Sequence, residues 1–256
     1  MIFNVGDFVT RKSYNNDIIF KIISIEEDKV YLKGVEIRLL ADSPITDLKK
    51  AEEVLDESFI NENSLNRCKN DNYFYLPGKI LHLDSDGDYL SRCLSFYKKN
   101  NLYAVGKKLK EESMKEQLPV LLNEYHPDIL VITGHDAYYQ KKGKKDIVDN
   151  YMNSRNFVNA VKVARKYEKS HEKLVIIAGA CQSDYEELIK SGANFASSPK
   201  RVNIHALDPA IVASEVAMTK RSSEINLFDI LNKTKYGSDG MGGIISNGLM
   251  YVGYPR

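Results

Sequence analysis

From residue 79 onward, short apolar runs alternate with longer stretches whose apolar residues recur every three or four positions. The first pattern fits strands buried on both faces, the second helices with one buried stripe. Lys79–Asp84, Leu102–Val105, Asp128–Thr133 and Lys173–Ala178 read as strands, with Asn194–Ala196 as a fifth, shorter piece. Between them a stripe of Tyr89, Leu90, Cys93, Leu94 and Tyr97 predicts a helix that buries Cys93. A second helix is expected within 113–125, with Pro119 near its first turn, where a missing N–H is tolerated. A third carries Phe157, Ala160, Val161, Ala164 and Tyr167 on one face. Ser183 followed by Glu186 fits a capping box, opening a fourth helix that ends near Gly192. Such alternation predicts an α/β fold, a doubly wound parallel sheet with helices on both faces and right-handed crossovers.

The first 45 residues follow a different rhythm. Val5–Thr10, Asp17–Ile25, Lys29–Leu32 and Val35–Leu40 are β-branched or aromatic-rich and separated by turn residues such as Lys33-Gly34. Four or five short strands in so small a space predict an SH3-like β-barrel over 1–45, which either binds something or only stabilises its neighbour. Residues 46–72 read as a helical and polar linker: Leu48–Leu55 has helix-forming composition, and Asn61–Asn72 is polar and Asn-rich. The α/β domain then spans 73–256.

Composition narrows the function classes. The formal net charge of the 256 residues is +1, so no bulk field points to nucleic acid or anionic lipid. No apolar run reaches the length of a membrane span, and Met1–Asp7 lacks the basic and apolar regions of a signal peptide. Three cysteines, Cys68, Cys93 and Cys181, lie far apart without a CxxC pair. That argues against a disulfide framework or a Cys-rich zinc site and suits a reducing cytosol. The sequence calls for no cofactor or metal and leaves the oligomeric state open.

In open parallel sheets ligands bind beyond the carboxyl ends of the strands. Those ends carry Asp84-Ser85-Asp86, Gly134-His135-Asp136 and Gly179-Ala180-Cys181. Cys181 follows two small residues and precedes an expected helix start, whose dipole favours thiolate; the competing reading is a buried inert cysteine. His135, at the end of the preceding strand, can face the same cleft if the two strands are neighbours, and can then serve as general base. The Cys181 N–H and an N–H of the Gly134-His135-Asp136 turn are candidate oxyanion donors, and Asp136 can orient His135 or act as a turn carboxylate. Asn203 and His205 are candidate substrate contacts if 194–196 is a strand, and Asp84 a candidate lining group.

Two rival readings remain. Asp84, Asp86 and Asp88 after the first strand could hold Mg²⁺ for phosphotransfer, although acidic caps on a helix are the plainer account. A calcium loop is excluded, because Tyr89 stands where Gly is needed and Ser95 where Glu is needed. Alternatively the chain is a non-catalytic scaffold that recruits partners through its barrel and the basic loop Lys141-Lys142-Gly143-Lys144-Lys145. His82, His126 and His171 receive no role.

Several long strings carry a family resemblance. Val5–Tyr14, Pro127–Tyr138, Ala178–Ser183, Gly192–Pro199 and Arg201–Pro209 resemble the YabG family of sporulation peptidases, and the likeness runs nearly end to end. The resemblance implies an endopeptidase made in the sporulating cell, cytoplasmic or coat-associated, that trims spore-coat and other spore proteins, with self-processing as an option. It also implies the Cys181–His135 dyad. The arrangement is similar to caspase-like and clostripain-like proteases, in which Ala precedes the Cys; there Gly follows the His, whereas here Gly134 precedes it and Asp136 follows.

Overall fold

A computed structural model describes residues 3–55, 72–139, 141 and 143–255. The chain divides into two compact units, Met1–Ser58 and Phe59–Arg256. The polar stretch 56–71, with Cys68, lies outside the described residues.

In the first unit, β1 (Phe8–Arg11), β2 (Phe20–Glu26), β3 (Lys29–Gly34), β4 (Leu40–Pro44) and β5 (Leu48–Lys50) form an antiparallel sheet in the order β4-β3-β2-β1-β5. Val9, Phe20, Ile22, Val30, Leu32 and Leu48 share its apolar core. Two expectations shift here. The run 35–40 is mostly a turn, and β4 starts only at Leu40: the chain folds tightly at Gly34, where a Cβ would lie 2.3 Å from the Ile37 carbonyl oxygen. The helix-forming run 48–55 begins as strand β5, since pairing with Val9–Arg11 overrides weak helix propensity.

The second unit is mixed α/β. Its elements are β6 (Phe74–Leu76), β7 (Ile80–Asp84), α1 (Gly87–Lys99), β8 (Ala104–Lys108), α2 (Glu111–Tyr125), β9 (Ile129–Thr133), α3 (Ser154–Tyr167), β10 (Val175–Ala178), α4 (Tyr185–Lys190) and β11 (Phe195–Ser197). Beyond these come α5 (Asp208–Met218), α6 (Leu227–Leu231), α7 (Gly237–Gly240), β12 (Met241–Gly243) and β13 (Tyr251–Gly253). Among the described residues the main sheet has the order β12-β11-β10-β9-β7-β8, parallel throughout except for the antiparallel edge strand β12. β13 and β6 form a separate antiparallel pair.

Alternation along the strands sorts the core into two layers. Ile80, Ile129, Val131, Val175, Ile177 and Phe195 face α1, α5 and α6, where Cys93, Tyr97 and the apolar residues of α5 meet them. Leu81, Leu83, Leu130, Ile132, Ile176 and Ala178 face α2, α3 and α4. Each fully buried aliphatic or aromatic side chain contributes roughly 1.5–3 kcal/mol. The expected stripe on α1 is buried except for half-buried Leu94, and Cys93 belongs to the core; on α3 Phe157, Ala160, Val161 and Ala164 are buried, but Tyr167 is exposed at the helix end, its hydroxyl donating to the Leu122 carbonyl. Pro119 does not sit in a first turn: α2 begins at Glu111, and Pro119 lies inside it, with Asn123 Nδ2 donating 2.8 Å to its carbonyl. Burial of Met114, Leu118, Leu121 and Leu122 on the other side of the helix carries the chain through the missing bond.

The strand order puts a topological switch between β7 and β9. From there the crossovers diverge, and in open parallel sheets ligands bind beyond the carboxyl ends of the strands at such a point. Phe195 is completely buried in the layer beneath α5, packed against Gly243 of β12. Phe195→Ala is expected to destabilise the second unit by about 3–5 kcal/mol, read as a lowered urea midpoint with little change in slope.

Candidate active site

The register of three neighbouring strands sets the geometry of the site. Leu83 pairs with Ile132, and Ile132 pairs with Ala178. Counting three residues onward from each gives Asp86, His135 and Cys181. All three strand-end candidates therefore leave the sheet at one level, with His135 on the central strand between the other two.

The turn after β9 is held from below. Gly134 has no room for a side chain: a Cβ would sit 2.5 Å from both Ser85 Oγ and Glu111 Oε1. Glu111, the first residue of α2, accepts hydrogen bonds from Ser85 Oγ at 2.6 Å and from the His135 N–H at 2.9 Å. That N–H is therefore turned to Glu111 and not to the cleft. The His135 ring is mostly buried, its Nε2 3.6 Å from Asp86 Oδ2 and its face 5.8 Å from the Tyr89 ring. Asp86 is the N-cap of α1, its Oδ1 accepting from the N–H groups of Asp88 at 2.9 Å and Tyr89 at 3.2 Å. The acidic cluster thus caps a helix, as the simpler sequence reading has it.

The turn after β10 is equally constrained. Gly179 has φ +106°, a conformation that strains any L side chain, and a Cβ there would lie 2.9 Å from Leu188 Cδ1. Cys181 is completely buried; its Sγ accepts the Ile204 N–H at 3.2 Å. Gln182, at φ 57°, ties three loops together. Its N–H reaches Ser198 Oγ and the Val202 carbonyl, its Oε1 accepts the Tyr138 N–H, and its Nε2 donates to Asn203 Oδ1.

Asp136 occupies the centre of this scaffold. Oδ1 accepts from the Ala137 and Asn153 N–H groups, Oδ2 from the hydroxyls of Ser154 and Ser183. Ser183 Oγ in turn accepts the Ala180 N–H at 2.9 Å. Asp136 therefore clamps the His135 turn to the Cys181 turn and to the start of α3; its bonds fill both oxygens and none goes to the His135 ring. Burial pushes its carboxyl up, against the pull of the four donors. Because Ser183 is used this way, it is not the cap of α4. Asp184 is, accepting the Glu187 N–H.

Three further candidates are placed differently from one another. Asp84 is completely buried, accepting the Asp86 N–H at 2.9 Å and lying 3.8 Å from His82 Nε2, whose Nδ1 meets Tyr97 Oη at 3.0 Å. His205 is also completely buried, with Nδ1 accepting the Leu207 N–H and its own N–H donated to Asp208. Each is enclosed as completely as Cys181. Asn203 is half-buried beside Gln182. Among the described residues no three His, Cys, Asp or Glu side chains converge as metal ligands.

A cavity of about 350 Å³ opens where the loops after β9, β10 and β11 meet, lined by Lys145, Asp184, Glu186, Lys190, Lys200 and Arg201 among others. Arg201 fills its floor, donating to Tyr151 Oη, Asp184 and Glu186. Sequence reasoning missed Glu111, whose only signal was its place at a helix start, and missed Asp86 as a neighbour of His135.

A thiol and an imidazole thus follow adjacent carboxyl ends of the parallel sheet in a mixed α/β unit. A family profile described as YabG peptidase U57 matches residues 4–64 and 52–255. The chain belongs to this peptidase family. It is similar to the sporulation-specific protease YabG of Bacillus subtilis (strain 168), with 43% identity over an alignment of 286 positions that covers 100% of this chain and 99% of that protein. No helix among the described residues is long and apolar enough to cross a membrane.

Ser183→Ala removes one donor from Asp136 and the acceptor of the Ala180 N–H. It is expected to destabilise the fold by about 1–3 kcal/mol. Since the folded carboxyl of Asp136 is already raised above its ordinary 3.8, losing a donor raises it further. The penalty is then smallest where Asp136 is neutral in folded and unfolded chains alike, and grows as pH rises through the folded value. Urea unfolding of both proteins from pH 5 to 8 checks the sign.

Proposed function

We propose that this peptidase is a cysteine endopeptidase acting in sporulation, with Cys181 as nucleophile and His135 as general base in a caspase-like arrangement. The observation that carries this reading is the register: His135 and Cys181 stand three residues beyond a shared ladder level on adjacent strands. Two features favour the reactive form of the thiol. The Ile204 N–H donates to Sγ, and the imidazole on the adjacent strand can take the proton that Sγ otherwise donates to the Ile204 carbonyl at 3.8 Å.

In the first half-reaction the Cys181 proton passes to the imidazole as sulfur bonds to the peptide carbonyl carbon. The imidazolium then protonates the amide nitrogen as the C–N bond breaks, leaving a thioester. Water, deprotonated by the imidazole, attacks that thioester; the C–S bond breaks, and the thiol recovers the proton. The Cys181 N–H is the proposed oxyanion donor. The His135 N–H is not, because it is held by Glu111. The segment around Ile204 covers Sγ, so substrate must displace it to reach the thiol.

Spore-coat proteins, and the chain itself, are the proposed substrates, and the cytoplasm of the sporulating cell the proposed location. The N-terminal sheet is proposed to be SH3-like. The phosphotransfer alternative is disfavoured by membership in a peptidase family and by the use of Asp84 and Asp86 as an internal acceptor and a helix cap. The scaffold alternative predicts that Cys181 is dispensable.

Wild type and Cys181→Ala, incubated with an extract of spore-coat proteins and resolved on a gel, separate these readings. Cleavage by wild type alone, with matching circular dichroism, is expected; equal cleavage by both would remove Cys181 as the nucleophile. His135→Ala should reduce the rate by on the order of 10²–10⁴-fold.

A further inference from the structure

The geometry points to Asp86 as the positioning residue of His135, completing a row of carboxylate, imidazole and thiol across three neighbouring strand ends. The inference rests on the cysteine-peptidase reading and adds a member to it.

The row follows from the sheet order. β9 is central, with β7 on one side and β10 on the other. The strands that lead to Asp86 and Cys181 therefore border β9 on opposite sides in matching register. The nitrogen turned toward Asp86 is Nε2, 3.6 Å from Oδ2. That separation is an electrostatic contact rather than a formed hydrogen bond, and such contacts in ligand-free sites tighten when the charge develops. A carboxylate beside Nε2 favours the tautomer with its proton there and leaves the Nδ1 lone pair as the base. It also stabilises the imidazolium once the thiol proton has moved, by the logic of a triad.

Asp86 is itself held in place. Its Oδ1 accepts two N–H groups at the start of α1, a helix of 13 residues, which fixes the carboxylate and sets the positive helix end against it. Three neighbouring groups meet His135 in other ways. Tyr89 of α1 presents its ring, Glu111 of α2 holds the backbone N–H, and Asp136 in the same turn is bonded to Ser154, Ser183 and two N–H groups. Cys181 arrives from the neighbouring strand.

Asp86→Asn is the informative variant. Asn is as good an N-cap as Asp, so α1 keeps its start. The charge facing Nε2 is lost, and the amide can present an acceptor or a donor but no counter-ion. The readout is the pH dependence of Cys181 alkylation by iodoacetamide, followed by mass spectrometry of the Cys181 peptide. It needs no peptide substrate, and cover by Ile204 lowers the rate at every pH without creating a midpoint. In wild type the midpoint, a property of the thiol–imidazole pair, is expected well below the ordinary thiol value of roughly 8.5. Asp86→Asn is expected to raise it by about one unit or more, with the alkylation rate at pH 6 falling about tenfold and circular dichroism unchanged.

A low midpoint that moves in His135→Ala but not in Asp86→Asn would overturn the role of Asp86 while leaving the dyad standing. A wild-type midpoint near the ordinary thiol value and indifferent to His135→Ala would sink the dyad itself, and the inference with it. Absence of any Cys181 alkylation under conditions that alkylate free glutathione would do the same.

Discussion

Parallel ladders do not slide freely. Their slanted hydrogen bonds fix how far one strand is displaced along the next, and a slip of one residue would turn every side chain to the other face. In this protein that constraint acts on β7, β9 and β10 together, because each is buried on both faces and alternates its apolar residues between two separate core layers. Leu83, Ile132 and Ala178 belong to the same layer and stand abreast. The loops beyond them must then begin at one height. Packing of this layer against α2 and α3 sets the strand ends from which Asp86, His135 and Cys181 follow.

Alignment alone would leave three floppy turns. Asp136 and Ser183 join the two after β9 and β10, the carboxylate receiving the Ser183 hydroxyl and the same hydroxyl the Ala180 N–H, while Glu111 ties the turn after β7 to that after β9 by accepting from Ser85 and the His135 N–H. A buried carboxylate is costly unless its oxygens are saturated, and here four donors from both turns and α3 saturate it. Gln182 adds a second tie, reaching Tyr138, Asn203 and the loop after β11. Around these ties a Cβ at Gly134 would strike the Ser85 and Glu111 side chains, and one at Gly179 the Leu188 side chain.

The strands, their two-sided burial, the stripes on α1 and α3 and the core place of Cys93 were legible because each rests on local periodicity. The strand-end rule also singled out Cys181 and His135 without knowledge of strand order. What was not legible depends on distant partners. β5 is a strand because β1 lies beside it, and α2 tolerates Pro119 because four apolar residues anchor it. Ser183 looked like a cap by spacing, but Asp136, 47 residues away, claims its hydroxyl. Asp84 and His205 are picked out by position at strand ends, and their complete burial follows from packing that position does not carry. α5 gave no amphipathic signal because its Asp208, Pro209 and apolar residues are buried on nearly every side.

Asp86 and Asp136 illustrate why position in sequence does not assign a carboxylate its role. Asp136 is adjacent to His135 in the chain, yet its oxygens are saturated by hydroxyls and N–H groups, and burial pushes its carboxyl up. It is suited to holding loops and ill suited to answering a charge that comes and goes. Asp86 is 49 residues from His135 in the chain but faces its ring, anchored through one oxygen to a helix start while the other is turned to the imidazole. A group that must respond to proton transfer needs a fixed frame and one oxygen oriented toward the proton's path. The sheet order gives that arrangement to Asp86, because β7, and not the turn of β9 itself, borders His135 on the side away from Cys181.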